Sequence, residues 1–351
     1  MYMKKTLKNT LYIFFATIAM VIQAKENVNH PGGNATTPDQ SLAFNCAAGT
    51  AQTLLDINNV KTMILNGGDM WWDLSNPKYE IPKNSGKHSL FAGSLWIGGL
   101  DDEDQLKVAA QTYRQSGNDF WPGPLDNARL TSDENLNNKY GTTNADVCSE
   151  YDYHHVITRA EVEAFLAFSN SNEPNIEFPN YSIPSSILNY PGDRKLEFQS
   201  ENSYEGYDDV VATNPYYALE TLAPYRDVNN DGKYTPSAGD YPEYNIDGTF
   251  NCQEADMLFG DQTLWWIFND KGNIHTETSG SAIGMEIRAQ AFAFATNDVI
   301  NNMTFYSYEV INRSTFELTQ TYFSPWVDTD LGYARDDFVG CDVARGLGYC
   351  Y

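Results

Sequence analysis

The sequence predicts a mainly β protein, antiparallel and β-sandwich-like, with long ordered loops and one short helix. Three observations lead there. Segment 284–296, GMEIRAQAFAFAT, alternates with period two: Met285, Ile287, Ala289, Ala291 and Ala293 lie on one face and Glu286, Arg288 and Gln290 on the other. Short apolar segments at 262–269, 303–311 and 318–327 flank it, and Asp270-Lys271-Gly272-Asn273 and Asn312-Arg313-Ser314-Thr315 separate them as connections. Aromatic residues make up 14% of the 351 positions, a level that a disordered chain does not reach. No segment repeats at a fixed period, which excludes a propeller.

The elements follow in order. Lys4, Lys5 and Lys8 precede the uncharged run 11–22, LYIFFATIAMVI, and Gln23-Ala24 closes it with a small residue. This is the pattern of a secretory signal peptide, residues 1–24, too short and wrongly flanked for a membrane span. A polar leader occupies 25–45. A β-rich domain with long loops is expected over 46–250. Its strands are read at 60–65, stopped by Asn66-Gly67-Gly68-Asp69, at 89–97, stopped by Gly98-Gly99, and at 106–113. The helix is 158–168, where Thr158 caps and Glu161 stands three residues on in the capping-box position. Residues 170–215, rich in Asn, Ser, Pro and Tyr, read as long loops. A second antiparallel domain is expected over 251–351, cut short at its carboxyl end, because Gly346 to Tyr351 has the composition of ordered structure.

Charge narrows the function. With 22 Lys and Arg against 47 Asp and Glu, the net charge is −25. No basic surplus exists to replace the counterions of nucleic acid or to dock on anionic lipid. Five cysteines, at 46, 148, 252, 341 and 350, leave at least one without an intrachain partner. Cys341 and Cys350 are close enough to bridge if they lie on a turn, and the absence of CxxC speaks against a dithiol active site.

Acidic loops carry the sharpest local signal. In Asp227-Val228-Asn229-Asn230-Asp231-Gly232-Lys233-Tyr234-Thr235, oxygen side chains stand at positions 1, 3 and 5. Glycine at 6 permits a tight turn, the Lys233 carbonyl falls at 7 and Thr235 at 9, the arrangement that gathers ligands around calcium. Position 12 is Ala238, so the closing carboxylate has to come from Asp240 or Glu243, and Pro236 opposes an EF-hand exit helix. The bland alternative is a set of Asx turns with solvated carboxylates. A second cluster follows a strand: Asp328 and Asp330, then Gly332, Asp336, Asp337 and Asp342. An oxygen-only donor set favours calcium over transition metals.

Catalytic motifs are missing. HExxH, GxSxG and the P-loop do not occur. His154 and His155 are adjacent and point opposite ways on a strand; Asp152 stands near as an orienter without an assigned nucleophile. Trp71 and Trp72 are read first as core anchors and second, with Trp121, as stacking platforms for a sugar. The pair Trp265-Trp266 carries the same two readings.

Several stretches together resemble large secreted or surface proteins of the Bacteroidetes exported by the type IX secretion system. They are LDINNVKTMILNGGDMWWDL (55–74), HSLFAGSLWIGG (88–99), VAAQTYRQSGNDFWPGPLD (108–126), DVNNDGKYTPSAGDYP (227–242) and DTDLGYARDDFVGCDVARGLGYCY (328–351). The resemblance implies export to the medium or outer cell surface and the type IX machinery as a partner, through a sorting domain beyond residue 351. It implies no chemistry.

The sequence therefore predicts a secreted or surface structural or adhesive module stabilised by calcium. The alternatives are a module binding a glycan or surface polymer, and a secreted hydrolase. Neither a nucleic-acid partner nor an integral membrane segment in the mature chain is expected. Amino-terminal sequencing of the exported protein should find its first residue at or near Lys25, whereas a product retaining Lys4 and Leu11 would exclude the signal peptide.

Overall fold

The computed structural model describes residues 11–13, 44–114, 117–126, 141–193, 222–244, 246, 257–333 and 335–351. The strands, in chain order, are β1 (Leu11–Ile13), β2 (Gln52–Leu55), β3 (Lys61–Leu65), β4 (Asp69–Met70), β5 (Tyr79–Glu80), β6 (His88–Leu100), β7 (Leu106–Ala109), β8 (Trp121–Pro122) and β9 (His155–Thr158). They continue with β10 (Tyr225–Arg226), β11 (Tyr241–Pro242), β12 (Gln262–Asn269), β13 (Met285–Ala293), β14 (Phe305–Asn312), β15 (Thr319–Thr329), β16 (Val339–Asp342) and β17 (Leu347–Cys350). The helices are α1 (Ala145–Glu150), α2 (Arg159–Ser169), α3 (Pro174–Glu177) and α4 (Ser185–Leu188).

A six-stranded sheet runs β1-β14-β13-β12-β8, with β9 also on β12. A seven-stranded sheet runs β15-β6-β4-β3-β2, joined by β5 and β7. The pairs β10-β11 and β16-β17 stand as two-stranded sheets. Each large sheet contains strands from both sides of residue 250: β12, β13 and β14 join β1, β8 and β9 in one, and β15 lies on β6 in the other.

The expectation of an antiparallel β-sandwich with one short helix is therefore corrected. The described residues hold four α-helices, and their four sheets are not closed into a barrel. The architecture is mixed α and β. Only α2 announces itself in sequence. Its Thr158 accepts from the Glu161 amide and Glu161 answers to the Thr158 amide, the capping box in full. The others are too short for an apolar stripe. Helix α3 has Pro174 in its first turn, α4 starts behind Pro184, and α1 is capped by Asn144.

Two cores explain the missed layer. The first lies between the two large sheets, where Ile287, Ala289, Ala291, Leu264, Trp266 and Phe268 of the six-stranded sheet meet Leu55, Ile64, Leu95 and Ile97 of the other. The second lies on the opposite face of the six-stranded sheet, where Trp265 and Ile267 pack with Val162 and Phe165 of α2 and Ile187 of α4. Strand β12 is thus buried on both faces, which is why Trp265 and Trp266 stand together: each fills a different core. The polar face of β13, expected half-exposed, is also buried. Glu286 is fully buried there and pairs with Arg288 at 3.0 Å and Arg313 at 2.9 Å.

Trp71 joins the first core's two walls. It follows β4 with a left-handed backbone (φ +76°) and donates its indole N–H to the Tyr306 hydroxyl on β14 at 2.6 Å. Its six-membered ring lies against Gly93 of β6, where an added Cβ would stand 2.4 Å from the ring. Trp71, Trp72 and Trp121 are all buried, so the sugar-platform reading of these three finds no exposed ring face.

The disulfide also differs from expectation. Cys46 bonds Cys148, across 102 residues, while Cys341 and Cys350 are free. It ties the segment before β2 to α1, a pairing that spacing does not reveal. Cys252 lies outside the described residues.

Gly93→Ala should cost about 1–3 kcal/mol, because the buried Trp71 ring, and not a flexible side-chain tip, must move to admit the methyl. Denaturant unfolding measures it, and a loss under about 0.5 kcal/mol would show that Trp71 is not held there.

Candidate metal centre

The first acidic loop connects β10 to β11, whose pairing sets Tyr225 opposite Pro242 and Arg226 opposite Tyr241. Residues 227–240 must therefore leave and return to the same place. Asn230 (φ +58°) and Gly232 (φ +75°) take left-handed conformations to make the turn, the role expected of Gly232. The Asp227 carboxylate accepts from the amides of Asp231 at 3.2 Å and Gly232 at 2.7 Å. Asp231 accepts from the Lys233 amide at 2.8 Å and from the Asn229 side-chain amide at 2.9 Å.

The short 3-10 turn Pro236–Ala238 and left-handed Gly239 then bring the chain to Asp240. Asp240 is fully buried. Its two oxygens accept from the Val228 amide at 2.9 Å and the Thr235 amide at 2.7 Å, so it staples both arms of the loop.

Asp227, Asp231 and Asp240 each present one carboxylate oxygen within 4.8 Å of the other two. This group can hold a divalent cation. Three anionic oxygens so close repel one another, and a cation converts that repulsion into attraction. Asp240 supplies the carboxylate missing at position 12, because the 3-10 turn adds two residues to the loop. Glu243, the other candidate, points to Arg226 at 3.4 Å. Asn229 serves the same loop through Asp231, and Lys233 and Thr235 contribute their amides to it.

Tyrosines anchor the loop to the second core. Tyr225, Tyr234 and Tyr241 pack against it, and the Tyr234 hydroxyl donates to the Ile187 carbonyl at 2.8 Å. Burial, with the charges of Asp227, Asp193, Asp240 and Asp231, pushes the Tyr225 phenol up to about 12. Asp193, which accepts from the Tyr234 amide at 3.1 Å, belongs to this acidic surrounding. It lies more than 30 residues before the loop, and nothing in its local sequence marks it.

The second cluster is not gathered in the same way. Asp328 accepts from the Tyr113 hydroxyl, Asp337 from the Leu331 amide at 3.0 Å, and Asp342 pairs with Arg345. The Asp336 amide donates to the Tyr333 carbonyl at 3.1 Å. Burial, then the neighbouring charges of Asp337 and Asp328, raise the Asp330 carboxyl above its ordinary value, partly offset by His88. Among the described residues, Asp227, Asp231 and Asp240 form the one group of three with metal-ligand spacing.

His154, His155 and His275 each have a ring nitrogen engaged by a neighbouring group. His154 bonds Thr53 at 3.0 Å, and His155 meets the Ser186 carbonyl at 2.6 Å. Asp152, the possible orienter, is occupied by the Thr50 and Ala51 amides at 2.7 and 3.1 Å. His275 is clamped between the carbonyls of Val108 at 2.8 Å and Asp270 at 2.5 Å. No helix among the described residues is long and apolar enough to cross a membrane. Comparison with protein-family models, curated proteins and solved structures gives no match.

Burial pushes the His154 imidazole down to about 4, from an ordinary value of 6.5. The unfolded chain therefore takes up a proton that the folded one refuses. This stability is fully present above pH 6.5 and is lost as pH falls toward 4, to a total on the order of 3 kcal/mol. Unfolding midpoints of the native protein and His154→Asn across that window test it. Parallel pH profiles would assign the acid sensitivity elsewhere.

Proposed function

We propose that the chain is a secreted or cell-surface structural or adhesive module whose 227–240 loop binds calcium. The convergence of the Asp227, Asp231 and Asp240 carboxylates carries this reading. Its donors are hard oxygens, and the loop is irregular and partly exposed. Calcium accepts such a shell, whereas magnesium demands a tighter octahedron. The ion's role is structural: the loop ends in β10 and β11, and its tyrosines pack on the second core. Cation binding would thus brace the layer formed by α2 and α4.

The export part of the reading has separate support. A disulfide between Cys46 and Cys148 persists in oxidising compartments. The resemblance to type IX cargo points the same way, and that machinery is the proposed export partner. Of the signal-peptide residues 1–24 only 11–13 are described, and they pair with β14 as β1, so cleavage near Lys25 would remove that edge strand. The strong negative charge suits a calcium-rich exterior.

Melting of the metal-free protein with calcium and with a chelator tests the site. Extracellular calcium modules bind at about 10⁻⁴–10⁻³ M, so millimolar calcium should add on the order of 1 kcal/mol. Asp231→Asn, at an exposed position without a core contact, should remove most of that gain, and the chelated variant should be no less stable than the chelated native protein, because one of three mutually repelling charges is gone. Isothermal titration then distinguishes the ions. Binding of magnesium with equal affinity would replace calcium by a generic divalent site, and no heat with either would end the proposal.

A further inference from the structure

The free thiols at Cys341 and Cys350 occupy the β16-β17 hairpin. Its register sets Val339 opposite Cys350 and Cys341 opposite Gly348. Side chains alternate along a strand, so both thiols are on one face, one pair out of step. Phe338 and Tyr351 exchange both backbone bonds, each at 2.9 Å. Cys341 and Cys350 therefore both sit at positions whose own amides point away from the partner strand. Diagonal neighbours are about 7–8 Å apart, beyond the span of a disulfide, whereas residues directly opposed at such positions are about 4.5 Å apart, within it.

Exposed contacts hold the present register: the Phe338 and Tyr351 rings stack with centroids 5.9 Å apart, and the Tyr349 ring lies over Gly340, a place that Tyr351 would take after a shift of two residues. Phe338, Val339, Val343 and Tyr351 are 64%, 62%, 87% and 66% exposed, so side-chain burial does not fix the pairing. A further fastening is at the turn. Asp342 accepts from the Arg345 amide at 3.2 Å and pairs with the Arg345 guanidinium, closing a four-residue loop of Val343 to Gly346. Gly346 already has φ +61°.

A second register is available to the same residues. Sliding one strand by two positions keeps every side chain on its face. It sets Cys341 directly opposite Cys350 and leaves Arg345-Gly346 as a two-residue turn closed by Ala344 and Leu347. A glycine in the second turn position suits such a hairpin.

We propose that Cys341 and Cys350 are a redox pair, and that their oxidation slides the hairpin from the four-residue to the two-residue turn. The oxidant is a small-molecule disulfide such as glutathione disulfide. The thiolate of one cysteine attacks it, forms a mixed disulfide and releases one glutathione thiolate. The second cysteine's thiolate attacks the protein sulfur of that adduct, forms the Cys341–Cys350 bond and releases the second glutathione. The two protons from the cysteines end on the two glutathione thiols. The protein is oxidised by two electrons and the glutathione disulfide is reduced by two.

The full chain is equilibrated in glutathione buffers of increasing oxidised fraction, trapped with iodoacetamide and mapped by mass spectrometry. Both thiols should disappear together into an intrachain Cys341–Cys350 bridge in a monomer. Two variants test the slide. Asp342→Ala and Arg345→Asn both release the turn clamp, and the second also supplies Asn-Gly. Each should favour the bridge by about two- to fivefold at equilibrium, the range expected for losing one exposed ion pair. The variants change local charge in opposite senses, so a rise in both reports the register and not an electrostatic effect on the thiolates. Opposite shifts, or none, would overturn the slide. Mixed disulfide on Cys341 with Cys350 free, or a dimer linked through Cys341, would overturn the pair.

Discussion

Filling both faces of one strand with tryptophan imposes the constraint on which the rest of the structure depends. Trp266 faces the first core and Trp265 the second, and neither ring is exposed. A ring of that size needs a wall on each side of the sheet. The seven-stranded sheet supplies one wall, locked on by the Trp71 bond to Tyr306. Helices α2 and α4 with the tyrosines of 225–244 supply the other. The candidate metal loop is part of that second wall, so its closure and the burial of Trp265 belong to one problem of packing.

The acidic composition finds three different uses. Some carboxylates replace secondary structure inside the fold. Asp270, fully buried, accepts the amides of Ile283, Gly284 and Met285 at 2.5, 2.9 and 2.6 Å and thereby fixes the start of β13. Asp119 does the same for Ala110 and Glu277, at 3.2 and 3.0 Å. Buried amides without a strand partner would otherwise be costly. Others are neutralised by arginine, as Asp69 is by Arg114 at 2.6 Å. A third set, in the 227–240 loop, meets other carboxylates, and there a cation is the natural counter-charge. Asp240 bridges the first use and the third: its oxygens staple the loop backbone and face the cluster.

Each acidic run in the sequence looked alike, yet they part ways through distant residues. The loop at 227–240 was legible because its ligands are local: Asp227, Asn229, Asp231 and Gly232 follow a spacing that a tight turn requires. The third carboxylate is Asp240, held by the Val228 and Thr235 amides, while Glu243 meets Arg226 instead. The run from 328 was drawn apart by Tyr113 and Arg345, one of them more than 200 residues distant. The disulfide is of the same kind, since Cys46 and Cys148 meet only because the sheets bring β2 and α1 together.

The sequence by itself determined the elements whose signal is short-range. The alternation of β13, the ends of β12, the turn after β3 and the capping box of α2 all follow from neighbouring residues, because side-chain period and amide capping act over a few positions. Only the tertiary structure decided which faces those elements bury. The polar row of Glu286, Arg288 and Gln290 reads as solvent-facing in isolation and becomes interior once Arg313 supplies a counter-charge and a second layer covers it. The single-helix β-sandwich failed for the same reason. Helices of four to six residues owe their stability to the core they close, and a core is a property of residues far apart in the chain.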